Sequence, residues 1–213
     1  MCGIGGFVDY ERDARRFTPV AQRMKRTLTP RGPDAEGEYS DLDALLVHRR
    51  LIVIDPDGGK QPMRSPDGNT TLVYNGELYN TEEIRRELVL RGHRFAGHSD
   101  TEVLLHAFLE WGTDAFPRLN GIFAFAIWQQ AERRLILCRD RLGVKPLFVA
   151  QTGGGLVFGS TIGTVLCHPE VEPVIDADGL RSLLLLGPAR PPASGVFRQI
   201  ESLLPGHYAI LTP

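Results

Sequence analysis

The sequence predicts an α+β domain in which two antiparallel sheets are stacked and helices cover their outer sides. Short apolar segments alternate with tight turns along the chain, and strands joined by tight turns pair antiparallel. The segments GIFAFAIW (121–128) and RLILCRD (134–140) are apolar on both faces, which is typical of a sheet covered on each side. Segments with helical spacing and clear start signals lie between the strands.

The first predicted elements are a strand over residues 4–8 and a helix that begins at Thr18. Thr18 and Pro19 combine an N-cap residue with a proline at the first helical position, which is a usual helix start. Three apolar positions then share one helical face: Val20, Met24 and Leu28. The next segment, RGPDAEGE (31–38), is predicted as a loop.

The remaining elements follow the same two patterns. Further strands are predicted over residues 44–54, 71–76, 121–128, 134–140, 146–151, 156–161 and 207–213. Further helices are predicted over residues 81–92, 99–112 and 176–187. In the second of these, Ser99 and Glu102 have the capping-box spacing, and an apolar stripe is formed by Val103, Ala107 and Trp111.

The composition excludes several classes of function. The chain has 213 residues, of which 42% are hydrophobic, so that a single domain can bury a sizeable core. A formal net charge of -2 gives no electrostatic reason to expect binding to nucleic acid or to an anionic membrane. Neither a membrane span of roughly 20 apolar residues nor a signal peptide is predicted, because Asp9, Glu11 and Asp13 interrupt the short apolar start.

The cysteines indicate reduced thiols and a cytoplasmic protein. Cys2, Cys138 and Cys167 are odd in number and far apart, which argues against a disulfide framework. Neither the cysteines nor the histidines have the spacing of metal ligands, so no metal is predicted. Cys138 lies in an apolar strand and is expected in the core, and His48 is expected to have a structural role.

The opening MCGIGGF places Cys2 where removal of Met1 would leave it as the N-terminal residue. A free thiol has a pKa of about 8.5 and an α-amino group one of about 8, so one residue would hold a nucleophile and a weak base. A terminal amine that activates its own side chain is a known nucleophile–base pair. Taken alone, Cys2 is also compatible with an inert second residue.

Six motifs in order extend this observation: MCGIGGF, RGPD, HRRLIVID, YNGELYN, HSD and CRDRLGVKPLF. Together they resemble the glutamine-hydrolysing domain of class II glutamine amidotransferases, which are N-terminal nucleophile hydrolases. YNGELYN, LGVKPLF and the tail PPASGVFRQIESLLPGHY are most similar to the asparagine synthetase branch. The resemblance implies a four-layered αββα sandwich, one domain over residues 1–213, and a synthetase-like domain missing after residue 213.

The resemblance also implies a mechanism, in which Cys2 attacks the side-chain amide of glutamine. Ammonia leaves, and water then hydrolyses the γ-glutamyl thioester. Asn75 and Gly76 match the family's oxyanion-hole pair, where donors are needed because negative charge develops on the carbonyl oxygen. By itself, Asn-Gly favours a type I′ hairpin turn.

Further matches concern the substrate. Arg50 matches the arginine that binds the α-carboxylate of glutamine, for which a two-pronged donor is suited, and Asp100 matches the acid that binds the α-ammonium group. Glu77 and the backbone near Val53 match other parts of the pocket. An outward-facing Arg50 beside an exposed Arg49, and an Asp100 that only complements a helix dipole, are the alternatives.

Four charged residues match a shell that supports the site rather than the site itself: Arg31, Asp34, Arg139 and Asp140. Two places depart from the family motifs. Ile52 stands where a small residue is more usual, which is expected to reshape the pocket wall. GSTIGTVL (159–166) replaces a Ser-Glu pair and a lysine in a segment that lies toward the ammonia-using half of the family.

Three hypotheses follow for the function. The first is a glutaminase domain that binds L-glutamine and supplies ammonia to a fused or associated asparagine synthetase-like domain. The second sends the ammonia to another acceptor, such as a sugar phosphate or a peptide carboxylate, and the third is a non-catalytic scaffold. No SGG-x-DS loop is present, so ATP and magnesium are expected only in the missing domain and no cofactor in this one. A homodimer is also compatible with the family.

Overall fold

Two antiparallel sheets and the helices that flank them make up the fold, as predicted. The computed structural model describes residues 1–52, 59–187, 191 and 193–213. The strands are β1 (Gly3–Asp9), β2 (Ala35–Ser40), β3 (Ala44–Arg50), β4 (Met63–Arg64), β5 (Thr70–Leu78), β6 (Gly121–Gln129), β7 (Arg134–Arg139), β8 (Phe148–Thr152), β9 (Gly155–Gly159), β10 (Glu201–Ser202) and β11 (Tyr208–Leu211). The α-helices are α1 (Thr18–Leu28), α2 (Thr81–Leu90), α3 (Asp100–Trp111), α4 (Ile162–Val165) and α5 (Ala177–Leu186). Two 3₁₀ helices cover Ala14–Phe17 and Gly112–Arg118.

Within the described residues, the first sheet has six strands in the order β10-β8-β9-β1-β3-β2. The second sheet has five strands in the order β11-β7-β6-β5-β4. Neighbouring strands pair antiparallel throughout both sheets, with β1 between β9 and β3 and with β5 next to β6. The first strand of the chain therefore lies near the centre of its sheet, where its start is held on both sides.

Three apolar clusters separate four layers. Between α1 and the first sheet lie Phe7, Met24, Leu28, Val47 and Val157. Between the two sheets lie Ile4, Val8, Val73, Trp128 and Phe158. Between the second sheet and helices α2 and α3 lie Leu72, Ile84, Leu104, Phe123 and Phe125. Successive residues of a strand thus enter different clusters, as expected from the period of two, and the order helix, sheet, sheet, helix is the predicted αββα sandwich.

Glycines bring two helices close to the start of β1. A Cβ atom on Gly3 would lie 2.8 Å from the Leu28 side chain of α1, and one on Gly5 would lie 2.6 Å from Thr164 in α4. Ser160 fixes the same strand, because its Oγ accepts from the Ile4 N–H at 3.0 Å and its own N–H donates to the Ile4 carbonyl at 2.8 Å. The backbone next to Cys2 is therefore firmly positioned.

The structure differs from the sequence prediction at several element ends. Strand β2 occupies part of the segment predicted as a loop, and Lys25 of α1 reaches across to bond Glu36 and Glu38 of this strand. Helix α1 begins at Thr18, but its N-cap residue is Phe17. No helix in the described residues has the length and apolar character needed to cross a membrane.

Candidate active site

A pocket opens at one end of the two sheets and gathers most of the residues predicted for the site. Its lining combines the two residues before β1, the end of β3, the segment before β4, the second half of β5, the start of α3 and the loop before β8. The lining residues are Met1, Cys2, Arg50, Leu51, Gly59, Gln61, Tyr74, Asn75, Gly76, Glu77, Ser99, Asp100, Thr101 and Lys145. The structure thus brings Cys2 together with predicted residues that are up to 98 positions away in sequence, Asp100 being the most distant.

Strand periodicity explains why these side chains meet. Cys2 directly precedes β1 and is in phase with Ile4, which packs between the sheets. In β5, Asn75 is in phase with Val73, which packs in the same cluster. Because alternate residues share a face of a strand, Cys2 and Asn75 both face the space between the sheets, at the end where the apolar core gives way to the pocket.

Cys2 is half-buried, and its Sγ atom lies 3.7 Å from the carbonyl oxygen of Leu51. Its own carbonyl accepts a hydrogen bond of 3.1 Å from Nε of Arg31. The other two thiols differ in environment. Burial raises the pKa of Cys138 to about 12, and burial also raises the pKa of Cys167. Both therefore remain protonated near neutral pH, which suits a structural role.

Asn75 is 2% exposed, and its Nδ2 atom has no hydrogen-bond partner within the described part of the chain. A buried donor without a partner costs about 1–3 kcal/mol. Asn75 and Gly76 lie inside β5 and pair with Ala124 and Phe123 of β6, so the hairpin-turn alternative is wrong. The side-chain amide of Asn75 can therefore donate a hydrogen bond to a molecule bound in the pocket.

The backbone N–H of Gly76 lies on the same edge of β5 as the N–H groups of Tyr74 and Leu78. The N–H of Tyr74 donates to Oε1 of Gln61 at 2.6 Å, and the N–H of Leu78 donates to Oδ2 of Asp100 at 3.2 Å. Because N–H groups alternate between the two edges of a strand, the Gly76 N–H lies between these two bonds. It is a second donor at the pocket, next to the amide of Asn75.

Arg50 is 7% exposed and lines the pocket, so the outward-facing alternative is wrong for this residue. Arg49 points to the opposite face, where it donates to Glu36 at 2.6 Å and to the Gly32 carbonyl at 2.8 Å. Its side chain is only 12% exposed, so Arg49 is not the exposed neighbour that was expected.

His48 has a structural contact, as predicted. Burial lowers the pKa of His48 to about 3, so the ring is neutral at ordinary pH. Its Nε2–H donates to the carbonyl of Tyr74 at 3.2 Å and joins β3 of the first sheet to β5 of the second. This bond holds the strand of Arg50 against the strand of Asn75.

Asp100 is the first residue of α3, and Ser99 is its N-cap, as predicted. The Ser99 hydroxyl accepts from the N–H of Glu102 at 3.3 Å. One carboxylate oxygen of Asp100 accepts from the Tyr74 hydroxyl at 2.7 Å and from the Leu78 N–H. Burial and the Asp100 charge raise the pKa of Tyr74 well above its ordinary value, so the hydroxyl stays protonated and keeps donating.

The RGPD segment holds the ends of two strands beside the pocket. Arg31 binds the Cys2 carbonyl, as described above. Asp34 accepts from the N–H of Ile52 at 2.8 Å, and its own N–H donates to the carbonyl of Arg50 at 3.0 Å. The Ile52 side chain is 39% exposed and lies outside the lining described above, so the expected effect on the pocket wall is not seen there. Val53 lies outside the described residues.

Arg139 and Asp140 shape the loop that leads to β8. Asp140 accepts from the N–H groups of Phe123, Leu142, Val144 and Lys145, at 3.0–3.2 Å. Arg139 donates to the carbonyl oxygens of Gly143, Lys145 and Leu203 and to the hydroxyl of Ser202. Both residues therefore act on the loop backbone, and through it they set the position of Lys145.

Sequence reasoning did not single out four polar residues of the lining: Gln61, Tyr74, Thr101 and Lys145. Gln61 accepts from the Tyr74 N–H and donates to Oγ1 of Thr101 at 3.3 Å, so it links β5 to α3. Tyr74 and Lys145 stand inside the motifs YNGELYN and LGVKPLF, which was the available signal. In the described residues, no three side chains of His, Cys, Asp or Glu come together as a group that could hold a metal ion.

Comparison with protein families places this geometry in a known context. The family model described as "Glutamine amidotransferase domain" matches residues 1–213. The chain belongs to this family. The glutamine amidotransferase domain described here is also similar to two solved structures over 95% of its length. One is glutamine phosphoribosylpyrophosphate amidotransferase from B. subtilis complexed with ADP and GMP, with a TM-score of 0.64 and 19% identity over 49% of that chain. The other is an allosteric regulatory enzyme of purine biosynthesis, with a TM-score of 0.65 and 20% identity over 49% of that chain.

Curated relatives confirm the resemblance to the asparagine synthetase branch. The domain is 46% identical over 209 residues to asparagine synthetase [glutamine-hydrolyzing] 3 of Bacillus subtilis (strain 168), covering 97% of the domain and 34% of that protein. It is 35% identical over 216 residues to asparagine synthetase [glutamine-hydrolyzing] 1 of the same organism, covering 100% of the domain and 34% of that protein. The chain thus spans about a third of the length of these relatives.

Proposed function

We propose that this domain hydrolyses L-glutamine to glutamate and ammonia through a γ-glutamyl thioester on Cys2. The observation that carries the proposal is the buried Nδ2 group of Asn75, which lacks a partner in the described residues and faces the same pocket as Cys2. An unpaired donor beside a thiol is what acyl transfer needs, because it can stabilise the oxygen of a carbonyl that the thiol attacks. Membership of the glutamine amidotransferase domain family supports this assignment.

The charges of the pocket suit the two ends of a free amino acid. Arg50 presents a planar guanidinium group, which can bind the α-carboxylate through two parallel hydrogen bonds. Asp100 presents a carboxylate for the α-ammonium group, and Glu77 adds a second negative charge to the lining. Glutamine bound between these groups would direct its side-chain amide toward Cys2 and Asn75. A contact with the backbone near Val53 remains a prediction.

The first half of the reaction forms the thioester. With Met1 removed, the α-amine of Cys2 takes the proton of the thiol, and Sγ attacks the side-chain carbonyl carbon of glutamine. Negative charge develops on the carbonyl oxygen, where the Asn75 amide and the Gly76 N–H donate to it. The proton passes from the α-amine to the departing nitrogen, the carbon–nitrogen bond breaks, and ammonia leaves.

The second half releases glutamate. Water gives a proton to the α-amine as its oxygen attacks the thioester carbon, and the same two donors stabilise the oxyanion. The carbon–sulfur bond then breaks, and the proton returns to the thiol. The base is neutral and the thiol is protonated at the end, so the cycle needs no metal, oxidant or reductant.

Met1 bears directly on this mechanism. While Met1 is attached, the nitrogen of Cys2 is a peptide amide, whose lone pair is delocalised and cannot accept the thiol proton. Met1 also lines the pocket, and its Sδ atom lies 3.3 Å from Nζ of Lys145. We therefore propose that the form with Met1 is an inactive precursor and that removal of Met1 both creates the base and opens the pocket.

We further propose that the ammonia is used by an ATP-dependent, asparagine synthetase-like domain, either fused or associated. The names of the relatives and their greater length support this acceptor. ATP and magnesium would be bound there, and this domain needs no cofactor for the steps above. A peptide or other carboxylate as acceptor is the alternative, because GSTIGTVL (159–166) departs from the family motif. A homodimer and a cytoplasmic location remain predictions.

Ammonia release from glutamine tests the proposal. Protein from which Met1 has been removed should release ammonia, and Cys2→Ala should reduce the rate to the uncatalysed level while its thermal melting stays unchanged. Cys167→Ala is the matched control and should keep full activity. Activity that survives in Cys2→Ala would refute the assignment of the nucleophile, and a folded, processed protein without any activity would favour the scaffold hypothesis.

A further inference from the structure

Lys145 is a nearly buried cation at the pocket that the mechanism above does not use. The residue is 8% exposed, and its Nζ atom donates to Sδ of Met1 at 3.3 Å. Within the described residues, no carboxylate oxygen lies within 4.0 Å of the Lys145 Nζ atom, which is the limit for an ion pair. Lys25 provides the contrast, because it is 7% exposed and pairs with both Glu36 and Glu38. A buried ammonium group is costly unless it is paired, so the position of Lys145 calls for an anionic partner.

The fold directs Lys145 to this position through its backbone. Its N–H donates to Oδ2 of Asp140 at 3.0 Å, and its carbonyl accepts from Nε of Arg139 at 2.8 Å. Both peptide groups of the residue are thus held by charged side chains at the end of β7. Arg139 and Asp140 thus fix the backbone from which the Lys145 side chain extends into the pocket lining.

A second cation flanks the same two residues at the start of the chain. Arg31 binds the Cys2 carbonyl at 3.1 Å, and its Nη2 atom lies 4.0 Å from Sδ of Met1. Met1 therefore lies between two positive groups, and it is bonded to the nitrogen that its removal would turn into a terminal amine. After removal of Met1, the nitrogen of Cys2 is a terminal amine, in a residue whose carbonyl is bonded to Arg31 and which lines the same pocket as Lys145.

We propose that Lys145 is a positioning residue for the nucleophile: its ammonium group disfavours the protonated terminal amine of Cys2 and favours the thiolate. This proposal rests on the proposed function, because it takes Cys2 as the N-terminal nucleophile. A neighbouring positive charge destabilises a second cation and stabilises an anion. Both effects favour the neutral amine and the thiolate of Cys2, which are the forms that the proposed mechanism uses.

Other charged and titratable groups face the same pocket. Arg50 on β3 adds a positive charge, and the carboxylates of Glu77 on β5 and Asp100 on α3 oppose it. Tyr74 and His48 carry no charge near neutral pH, for the reasons given above. These groups are unchanged when Lys145 is replaced, so a difference in alkylation between the variants and the unaltered protein is caused by the loss of the lysine.

The test measures the alkylation of Cys2 by iodoacetamide as a function of pH, without glutamine. Intact mass first establishes that Met1 is absent, and peptide mapping assigns the label to Cys2. In Lys145→Met, which keeps the length of the side chain but loses its charge, the midpoint of the alkylation profile should rise by about one pH unit. In Lys145→Arg, which keeps the charge, the midpoint should stay close to that of the unaltered protein.

Lys25→Met is the matched control, because it removes an equally buried lysine outside the pocket, and its midpoint should not move. Lys145→Gln repeats the measurement should Lys145→Met melt at a much lower temperature. An unchanged midpoint in the neutral variants, an equal rise in Lys145→Arg, or unfolding of both neutral variants would overturn the proposal. The profile is read without substrate, so an absence of ammonia release would contradict the proposed function and leave this result standing.

Discussion

The hydroxyl of Tyr74 donates a hydrogen bond of 2.7 Å to Oδ2 of Asp100. The same oxygen accepts from the N–H of Leu78, four residues further along β5. The start of α3 is therefore bonded at two points to the strand that carries Asn75. In the proposed function, the group that binds the ammonium end of glutamine and the group that stabilises its amide oxygen belong to one rigid unit.

Tyr74→Phe should weaken glutamine binding with little effect on the chemical step. The change removes one of the two hydrogen bonds that the described residues donate to the Asp100 carboxylate, and a hydrogen bond to a charged group contributes about 1.5–3 kcal/mol. We expect KM to rise roughly tenfold or more, while kcat changes much less. Tyr79→Phe, at a tyrosine that is 59% exposed, is the control and should behave as the unaltered domain. A fall in kcat at constant KM would contradict this role.

Asn75→Ala should lower kcat by about 10² to 10³ with little change in KM, which is the usual loss for one oxyanion donor. The side-chain amide is needed only when charge develops on the substrate oxygen. The variant should also remain folded, because it removes a buried donor that has no partner in the described residues. Steady-state kinetics and a melting curve check both parts. An effect confined to KM would mean that Asn75 binds the ground state.

Arg50→Lys should have the opposite kinetic signature to Asn75→Ala. The α-carboxylate keeps its charge throughout the reaction, so the contact contributes equally to binding substrate and transition state and its loss raises KM. Lysine retains the charge but not the two-pronged geometry. Asp100→Asn should act in the same sense at the ammonium end. Arg86→Lys, on the exposed face of α2, is the control.

The layered fold could be predicted because its signals are local, and the exceptions have physical reasons. Apolar strands and capped helices carry their pattern within ten residues or so. Strand β2 has no such local pattern, because its residues Glu36 and Glu38 form ion pairs with Lys25, which lies on α1. The candidate site also combines residues that local motifs predict with contacts that depend on packing. Cys2 and Asn75 lie in recognisable motifs, but the link from Gln61 to Thr101 spans 40 residues and depends on how β5 and α3 pack.

A glutamine-like diazo-ketone should label Cys2 and spare the other two cysteines. Burial raises the pKa of Cys138 to about 12 and that of Cys167 above its ordinary value, so near pH 8 both are mainly thiols rather than thiolates. Peptide mapping after labelling locates the adduct, and glutamine in excess should protect Cys2. Label on Cys138 or Cys167 in folded protein would show that reactivity is not governed by the pocket.

The final prediction concerns Met1, whose sulfur atom lies near Lys145 and Arg31. Protein that keeps Met1, produced with methionine aminopeptidase inhibited, should release ammonia from glutamine at no more than a trace rate. Treatment of the purified protein with a methionine aminopeptidase should restore activity in proportion to the fraction of chains that lose one methionine by intact mass. Cys2→Ala treated in the same way is the control for contaminating glutaminase and should stay inactive. Full activity before treatment would show that the amine of Cys2 is not the base, because a peptide nitrogen cannot take the proton from the thiol.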